Sequence, residues 1–364
     1  RRQRQMCIRD SPNTLFARQS IDFGTGTVGT RPPLFDNPLP ETTTSFETGF
    51  DVWMFENKFN FDLTYYNSTL RNQFLYVTTA NGESKPVNTG VIRNYGLEFQ
   101  AAYRWNINRD WRWETGFNIA WNDNRILETY KTETGAPYEV QMGPNAFKIK
   151  YVEGGRYGDI YVNSFARDEN GYIKVNDEGD YANAVPVMTS GKYETYVGNM
   201  TSPINFGWNN TFTWKNFDLN IFFTWSYGND ILNANRLIFE SGYKSQTNQF
   251  ASFADRWTPE NPTSNIPRTN ATGNEEYSSR IIEDGSFLRL KNVSLGYTFS
   301  GRGIRKAGIS SLRLYVSADN IWTLTNYSGP DPEVSTRNSV LTPGFDWSAY
   351  PRAYGFTAGL NISF

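Results

Sequence analysis

Histidine is absent from this chain of 364 residues, and cysteine occurs once, at Cys7. Without histidine, the commonest general base and metal ligand is missing, which excludes Ser-His-Asp and Cys-His catalytic arrangements. A single cysteine excludes a disulfide framework within the chain. No apolar run approaches the ~18 residues of a membrane-spanning helix. The formal net charge of −2 gives no electrostatic reason to expect nucleic acid as a partner.

Aromatic residues are abundant although the chain as a whole is hydrophilic. They make up 16% of the sequence, while the mean hydropathy is −0.59. A packed soluble enzyme rarely combines the two. Outer-membrane β-barrels do, because their rings gather in two interfacial girdles while the lumen and the loops are polar.

Segments that alternate apolar and polar residues recur from about residue 43 to the end of the chain. In the last of them, one face carries Tyr354, Phe356, Ala358, Leu360, Ile362 and Phe364, and the other carries only small or polar residues. Helical periodicity is nowhere sustained. We therefore predict an all-β fold, an antiparallel up-and-down transmembrane β-barrel that contributes about nine to ten strands from this chain.

The connections between these segments alternate strictly in length. Short ones are expected at residues 55–58, 106–110, 215–216 and 301–310, and long ones at about 71–90, 125–203, 231–285 and 324–350. Bacterial barrels show this parity, with tight periplasmic turns and long extracellular loops. A soluble β-rich glycan-binding or adhesin domain, the alternative of a different class, gives no reason for it.

Residues 1–11 are basic and lack the apolar stretch of a signal peptide. The segment resembles translated adapter sequence, so we expect it to be non-native or disordered and exclude it from the fold. Residues 12–364 are then one barrel unit.

Acidic residues in the loops are candidates for catalytic pairs or metal ligands. Glu283 with Asp284, and Asp331 with Glu333, lie beside a loop glycine or proline, where acids also serve turns. The acidic stretch at residues 168–180 lacks the spacing of a calcium loop, and Asn170-Gly171 is typical of a hairpin turn. We predict no enzyme activity, no catalytic residue, no metal and no cofactor.

Aromatic residues have two expected roles. Trp105, Trp111, Trp113, Trp214 and Trp225 lie near predicted strand ends and suit an interfacial belt. Rings within the long loops are candidates for binding a substrate, because loops on a rigid barrel commonly carry specificity. The candidate substrate-binding residues are Tyr157, Tyr161, Tyr193 and Trp257.

An ordered series of motifs resembles the C-terminal half of SusC/RagA-type TonB-dependent transporters. Pro40–Gly49 and Asn88–Glu98 are similar to strand entries of TonB-dependent barrels. More specific are Asp255–Thr263 with Ile266–Arg268, Arg280–Tyr297, Asp319-Asn320 with Thr325–Glu333, and Tyr350–Arg352 before the last strand. A porin or a siderophore-type TonB-dependent receptor is the nearer alternative.

The resemblance implies a 22-stranded barrel in the outer membrane of a Gram-negative bacterium, with residues 12–364 as its C-terminal part. Such a transporter imports oligosaccharides or peptides. Its expected partners are outer-membrane lipids, a SusD-like surface lipoprotein as a lid, and the TonB complex acting through a plug domain. Neither a plug nor a TonB box is recognisable in this sequence.

The last strand suggests one more partner. A terminal aromatic residue on an alternating strand resembles the signal that the barrel-assembly machinery reads by strand pairing. The residues expected to form this signal are Tyr354, Phe356, Leu360, Ile362 and Phe364.

Overall fold

A computed structural model describes most of the chain. It covers residues 19–21, 28–30, 39–78, 84–131, 140–142, 148–162, 164–176, 185–186, 195–240, 248–268, 278–334, 336 and 344–364. The expectations for residues 1–11 and for Tyr193 lie outside the described residues.

Nine strands form one antiparallel sheet in which every strand pairs with its neighbours in sequence. They are β1 (Thr42–Met54), β2 (Phe59–Thr78), β3 (Ser84–Asn106), β4 (Trp111–Glu128), β5 (Ile204–Trp214), β6 (Phe217–Tyr227), β7 (Phe287–Phe299), β8 (Ser311–Thr325) and β9 (Gly355–Ser363). The predicted up-and-down order is confirmed, and the described residues form an open, unclosed sheet.

The two faces of this sheet differ as the alternation predicts. Cross-strand partners on one face form a continuous apolar row, Leu63, Phe99, Ile119, Phe206, Trp225, Leu288 and Leu324. The next row, on the other face, reads Asp62, Gln100, Asn118, Gly207, Thr224, Arg289 and Thr323. We call these the apolar face and the lumen face.

The apolar face is not covered by a second sheet in the described part of the chain. Phe46 is 62% exposed and Phe356 is 79% exposed. A soluble sandwich would bury such side chains between two stacked sheets. The exposed face therefore favours the barrel over the soluble alternative.

Aromatic rings gather at both ends of the apolar face. At one end, Trp214 stacks on Trp111 with centroids 5.6 Å apart and on Phe217 at 5.8 Å. At the other end, Trp121 meets Tyr95 at 5.8 Å. Ten residues separate Trp111 from Trp121, so the girdles lie ~33 Å apart along the strand. At a tilt of ~45° this becomes ~24 Å, close to the ~25 Å apolar band of outer-membrane barrels.

The predicted belt residues take these positions. Trp105, Trp111, Trp113 and Trp214 lie at the end of the sheet with the short connections, which we call the turn end. Trp225 lies at the opposite end, the loop end, where Phe206 meets it with centroids 6.2 Å apart.

One predicted loop is wrong in its extent. Residues 71–90 were expected to form a long loop, but β2 continues to Thr78 and β3 begins at Ser84. The pairing register shifts on either side of Gln73, and Asn72 has a φ of +57°. Such bulges bend a strand pair without ending it, so the hairpin extends beyond the apolar band.

Short elements occupy the remaining connections. The helices are α1 (Asn235–Phe239) and α2 (Arg302–Arg305), with 3₁₀ turns at Ala251–Asp255 and Ser279–Ile281. Within the described ranges, no helix is long and apolar enough to cross a membrane.

Two small sheets and two two-stranded pairs make up the other strands of the described residues. One sheet pairs Thr195–Asn199, Asp159–Val162, Lys148–Tyr151 and Val140–Met142 in that order. Another holds Ile282–Asp284, Asp230–Asn233 and Phe345–Asp346. Val175–Asn176 pairs with Val185–Pro186, and Gln19–Ile21 pairs with Val28–Thr30.

A tyrosine lies flat over a glycine on the lumen face near the end of the chain. Tyr315 on β8 is the cross-strand partner of both Gly296 on β7 and Gly359 on β9. A Cβ atom at Gly359 would overlap the Tyr315 ring. The glycine therefore provides the space into which the ring folds, and the pair fixes the register of β8 and β9.

Gly359→Val is expected to destabilise this strand pair by about 1–3 kcal/mol, because the ring must leave its position on the wall. The folded fraction after refolding into detergent, measured by heat-dependent migration in gels, should fall. The double variant Gly359→Val with Tyr315→Ser removes the overlap and should recover. If the double variant is no better than Gly359→Val, the ring is not the cause.

Candidate functional site at the loop end

The long connections pack together at the loop end into what we call the loop layer, the described residues of 129–203, 228–286 and 326–354. Its centre is a cluster of buried side chains drawn from all three connections, Ile160, Val162, Met200, Leu232, Ala234, Leu237, Ile281 and Phe345. The sheet cannot supply such a core, since its apolar face points outward. The loops therefore carry their own.

The three-stranded sheet joins two connections that are distant in sequence. Asp230–Asn233 pairs antiparallel with Ile282–Asp284 and parallel with Phe345–Asp346. Ile231 and Leu232 are fully buried there. The second and third connections are thus fixed to each other by backbone hydrogen bonds, which makes the layer rigid.

A buried ion network surrounds α1. Glu240 accepts hydrogen bonds from Arg236 Nε at 2.7 Å, from Arg280 Nη1 at 2.7 Å and from Ser252 Oγ at 2.6 Å. Burial opposes ionisation of Glu240, but the hydrogen bonds from Ser252 and Arg236 and the charges of Arg236 and Arg280 lower its pKa. This carboxylate therefore stabilises the layer above its ordinary pKa of 4.5, and that contribution is lost as the pH falls through the lowered value.

A second network ties the third connection to the barrel wall. Arg289 on β7 donates to Asp331 at 2.6 Å and lies 2.8 Å from Glu333, and its side chain is only 3% exposed. Arg352, just before β9, pairs with Glu333 at 3.2 Å and gives its backbone N–H to Asp331 at 2.9 Å. Burial disfavours ionisation of Asp331, yet its hydrogen bonds from Arg352, Arg289 and Glu333 lower its pKa.

A tyrosine and an aspartate close the layer between these networks. Tyr327 donates from its hydroxyl to Asp346 at 2.5 Å, and both residues are buried. Burial, with the hydrogen bond and charge of Asp346, raises the pKa of Tyr327. Its neighbour Ser328 donates to Glu283 from both its backbone and its hydroxyl, at 2.8 and 2.9 Å.

Glu283 and Asp331, two of the loop acids that could have formed catalytic pairs, are part of the loop anchoring. Glu283 binds Asn233, Arg236 and Ser328, and Asp331 binds Arg289 and Arg352. In the ranges that the structure describes, no group of three or more acidic or cysteine side chains could hold a metal ion. Asp168 caps the turn at Asn170-Gly171, accepting backbone hydrogen bonds from Asn170 and Tyr172 at 2.9 and 2.8 Å.

The candidate binding aromatics lie in different surroundings. Tyr161 is half-buried, meets Tyr196 edge-on at 5.9 Å and has Lys150 Nζ 5.2 Å from its ring centroid. Tyr157 is half-buried, and its backbone N–H donates to Asn124. Trp257 is only 4% exposed, so its ring packs within the loop layer and has little surface for a ligand. Of the three, Tyr161 lies beside a second ring that is exposed.

Sequence reasoning located the motifs but missed what their residues do. Arg289 lies within Arg280–Tyr297, its acidic partners lie within Thr325–Glu333, and Arg352 ends Tyr350–Arg352. The motifs are thus one interlocked structural unit. The sequence does indicate ion pairing, since one motif contains arginine and the next contains acids, but it does not show which arginine pairs with which acid.

Comparison with known proteins agrees with this geometry. Residues 9–183 match the family model described as "TonB dependent receptor-like, beta-barrel". Over these residues the chain carries a TonB-dependent receptor β-barrel domain. It is 31% identical over 358 residues to TonB-dependent receptor P3 of Formosa agariphila, covering 90% of this chain and 35% of that protein.

Two further relatives indicate the branch of the family. TonB-dependent receptor SusC of Bacteroides thetaiotaomicron is 27% identical over 353 residues, which covers 92% of this chain and 33% of SusC. The RagAB peptide transporter structure superposes with a TM-score of 0.77 at 22% identity, covering 96% of this chain and 38% of that one. The fold is thus that of RagAB, and the predicted resemblance is confirmed. The chain spans about a third of the length of the curated relatives it matches.

Arg289→Gln should release the third connection from the wall. Removing the buried cation leaves Asp331 and Glu333 without compensation, which costs about 3–5 kcal/mol for a buried pair. Hydrogen exchange of residues 326–334 is expected to accelerate by at least tenfold. Arg104→Gln, which removes a 60% exposed partner of Glu114, serves as the control and should leave that segment unchanged. Equal exchange in both variants would contradict the anchoring role.

Proposed function

We propose that this chain is part of an outer-membrane importer that takes up oligosaccharides or peptides. The observation that carries the proposal is the nine-stranded sheet with an exposed apolar face, two aromatic girdles and a polar lumen face. Similarity to SusC and to the fold of the RagAB peptide transporter supports it. The relatives are receptors and transporters, which fits a protein without enzymatic chemistry.

The orientation follows from the barrel. Short connections lie at the turn end, which we assign to the periplasm, and the loop layer then faces the outside of a Gram-negative cell. A rigid layer at the mouth of a pore suits docking of a SusD-like lipoprotein as a lid. The RagAB peptide importer has been solved in an 'open-open' and a 'closed-closed' state, which fits a lid that moves on a fixed barrel.

Energy for uptake is proposed to come from TonB through a plug domain elsewhere in the complete receptor. The lumen face offers the plug a polar wall of asparagine and threonine side chains, such as Asn118, Asn209 and Thr211, with no cofactor required. For the cargo, the ring pair of half-buried Tyr161 and exposed Tyr196 is the best-placed candidate contact at the loop end. Tyr157, Tyr193 and Trp257 remain weaker candidates.

The complete receptor, produced together with the lipoprotein encoded beside it, should take up a labelled oligosaccharide or peptide only while the proton gradient is maintained. An uncoupler should stop accumulation without removing the receptor from the membrane. Accumulation that continues at the same rate with the uncoupler would identify a passive pore instead. Copurification of the lipoprotein with the receptor tests the lid directly.

The last strand is proposed to carry the signal for the barrel-assembly machinery. Phe356, Leu360 and Ile362 stand on the apolar face of β9. Tyr354 lies just before this strand, and Phe364, which is 87% exposed, lies just after it. In the described residues β9 pairs only with β8, so its other edge is open to a partner strand.

Phe364→Ser is therefore expected to lower the amount of assembled receptor in the outer membrane several-fold, because the terminal ring is lost from the edge strand. Ser363→Ala, which changes the adjacent residue on the lumen face, is the control and should assemble normally. Immunoblots of outer-membrane fractions measure both. Normal levels of the Phe364 variant would remove this residue from the signal.

A further inference from the structure

Two arginines lie opposite each other on the apolar face, just beyond the girdle at the loop end. Arg93 on β3 and Arg125 on β4 are direct cross-strand partners. They stand four residues beyond Leu97 and Trp121, which pair on the same face. That places the arginines ~13 Å along the strands from the girdle, or ~9 Å above it at a tilt of ~45°.

The side chain of Arg93 is held on this outward face by its neighbours. Its Nε donates to Asn67 Oδ1 at 3.0 Å, and its guanidinium lies 5.0 Å from the ring centroid of Tyr95. Tyr95 in turn meets Trp121 of the girdle. The arginine is therefore placed directly above the aromatic belt, where lipid headgroups lie.

The local charges do not balance. Asp123, an acid on this face and the cross-strand partner of Tyr95, binds Arg156 at 3.1 Å and Tyr95 at 2.7 Å. Arg125 gives one hydrogen bond to the carbonyl of Gly154. Among the described residues, neither Arg93 nor Arg125 forms an ion pair, although both are half-buried.

Arginines on the lumen face, in contrast, form ion pairs with acidic side chains. Arg104 and Arg112 both pair with Glu114, and Arg313 pairs with Asp218 at 2.5 Å. Like charges directly opposite each other on a sheet destabilise the strand pair. The outward pair thus lacks the counter-charge that the lumen arginines have.

We propose that Arg93 and Arg125 together bind the phosphate of an anionic lipid headgroup in the leaflet at the loop end. The inference rests on the proposed placement of the barrel in a membrane. Two guanidinium groups match phosphate oxygens in charge and in hydrogen-bond geometry. Basic residues at the headgroup level attract anionic lipids. The acyl chains of the same lipid would lie along the apolar face below.

The test uses the complete receptor in detergent and native mass spectrometry with phosphatidylglycerol or phosphatidylcholine. The wild type should bind its first phosphatidylglycerol at least fivefold more tightly than phosphatidylcholine. Arg93→Gln with Arg125→Gln should reduce this preference to less than twofold. Arg104→Gln with Arg112→Gln removes the same two charges from the lumen face and should keep the wild-type preference.

Three results would overturn the inference. The first is equal loss of preference in both double variants, and the second is full preference in the Arg93 and Arg125 variant. The third is displacement of phosphatidylglycerol by an equal concentration of glycerol phosphate, which would show a site for soluble anions. A receptor that fails to insert into vesicles at all would overturn the proposed function as well, whereas insertion without headgroup preference would overturn this inference alone.

Discussion

The structure depends on one constraint, that a sheet crossing hydrocarbon must satisfy its backbone hydrogen bonds within the sheet while turning apolar side chains outward. Strand pairing in sequence order meets the first requirement, and alternation with period two meets the second. Strand pairing and alternation both hold along the length of strands β1 to β9. The face that would form the core of a soluble protein is therefore turned outward and exposed in the described residues.

Because the sheet has no inward-facing apolar layer, rigidity at the loop end has another origin. The connections build a small core around Ile160, Leu232 and Phe345, and buried ion pairs attach that core to the wall. A buried arginine needs its carboxylates, since an unpaired charge there costs several kcal/mol. The loop motifs are thereby explained as anchoring contacts that hold the loop layer on the wall.

Charge is distributed differently on the two sides of the wall. On the lumen face, Arg313 of β8 is neutralised by Asp218 of β6, across the intervening strand β7. Arg93 and Arg125 on the outside have no such acid among the described residues. In our proposal, the phosphate of a lipid headgroup supplies the negative charge beside these two arginines.

The sequence by itself determined the strands, their faces and the order in which they pair. These features depend on local sequence. Apolar residues occupy every second position, as in the terminal segment from Tyr354 to Phe364, and short connections force consecutive strands to pair. It also located the girdle tryptophans and the family. It erred at residues 71–90, where a bulge at Asn72 continues a hairpin that polar residues suggested had ended.

Only the tertiary structure decided what the loops do. Arg289 meets Asp331 across 42 residues, and Asp230–Asn233 meets Phe345–Asp346 across more than a hundred. Such contacts have no period in the sequence, since they depend on how three connections fold over one another. The burial of Trp257 and the pairing of Arg93 with Arg125 are decided in the same way, by the neighbours that the fold brings to each side chain.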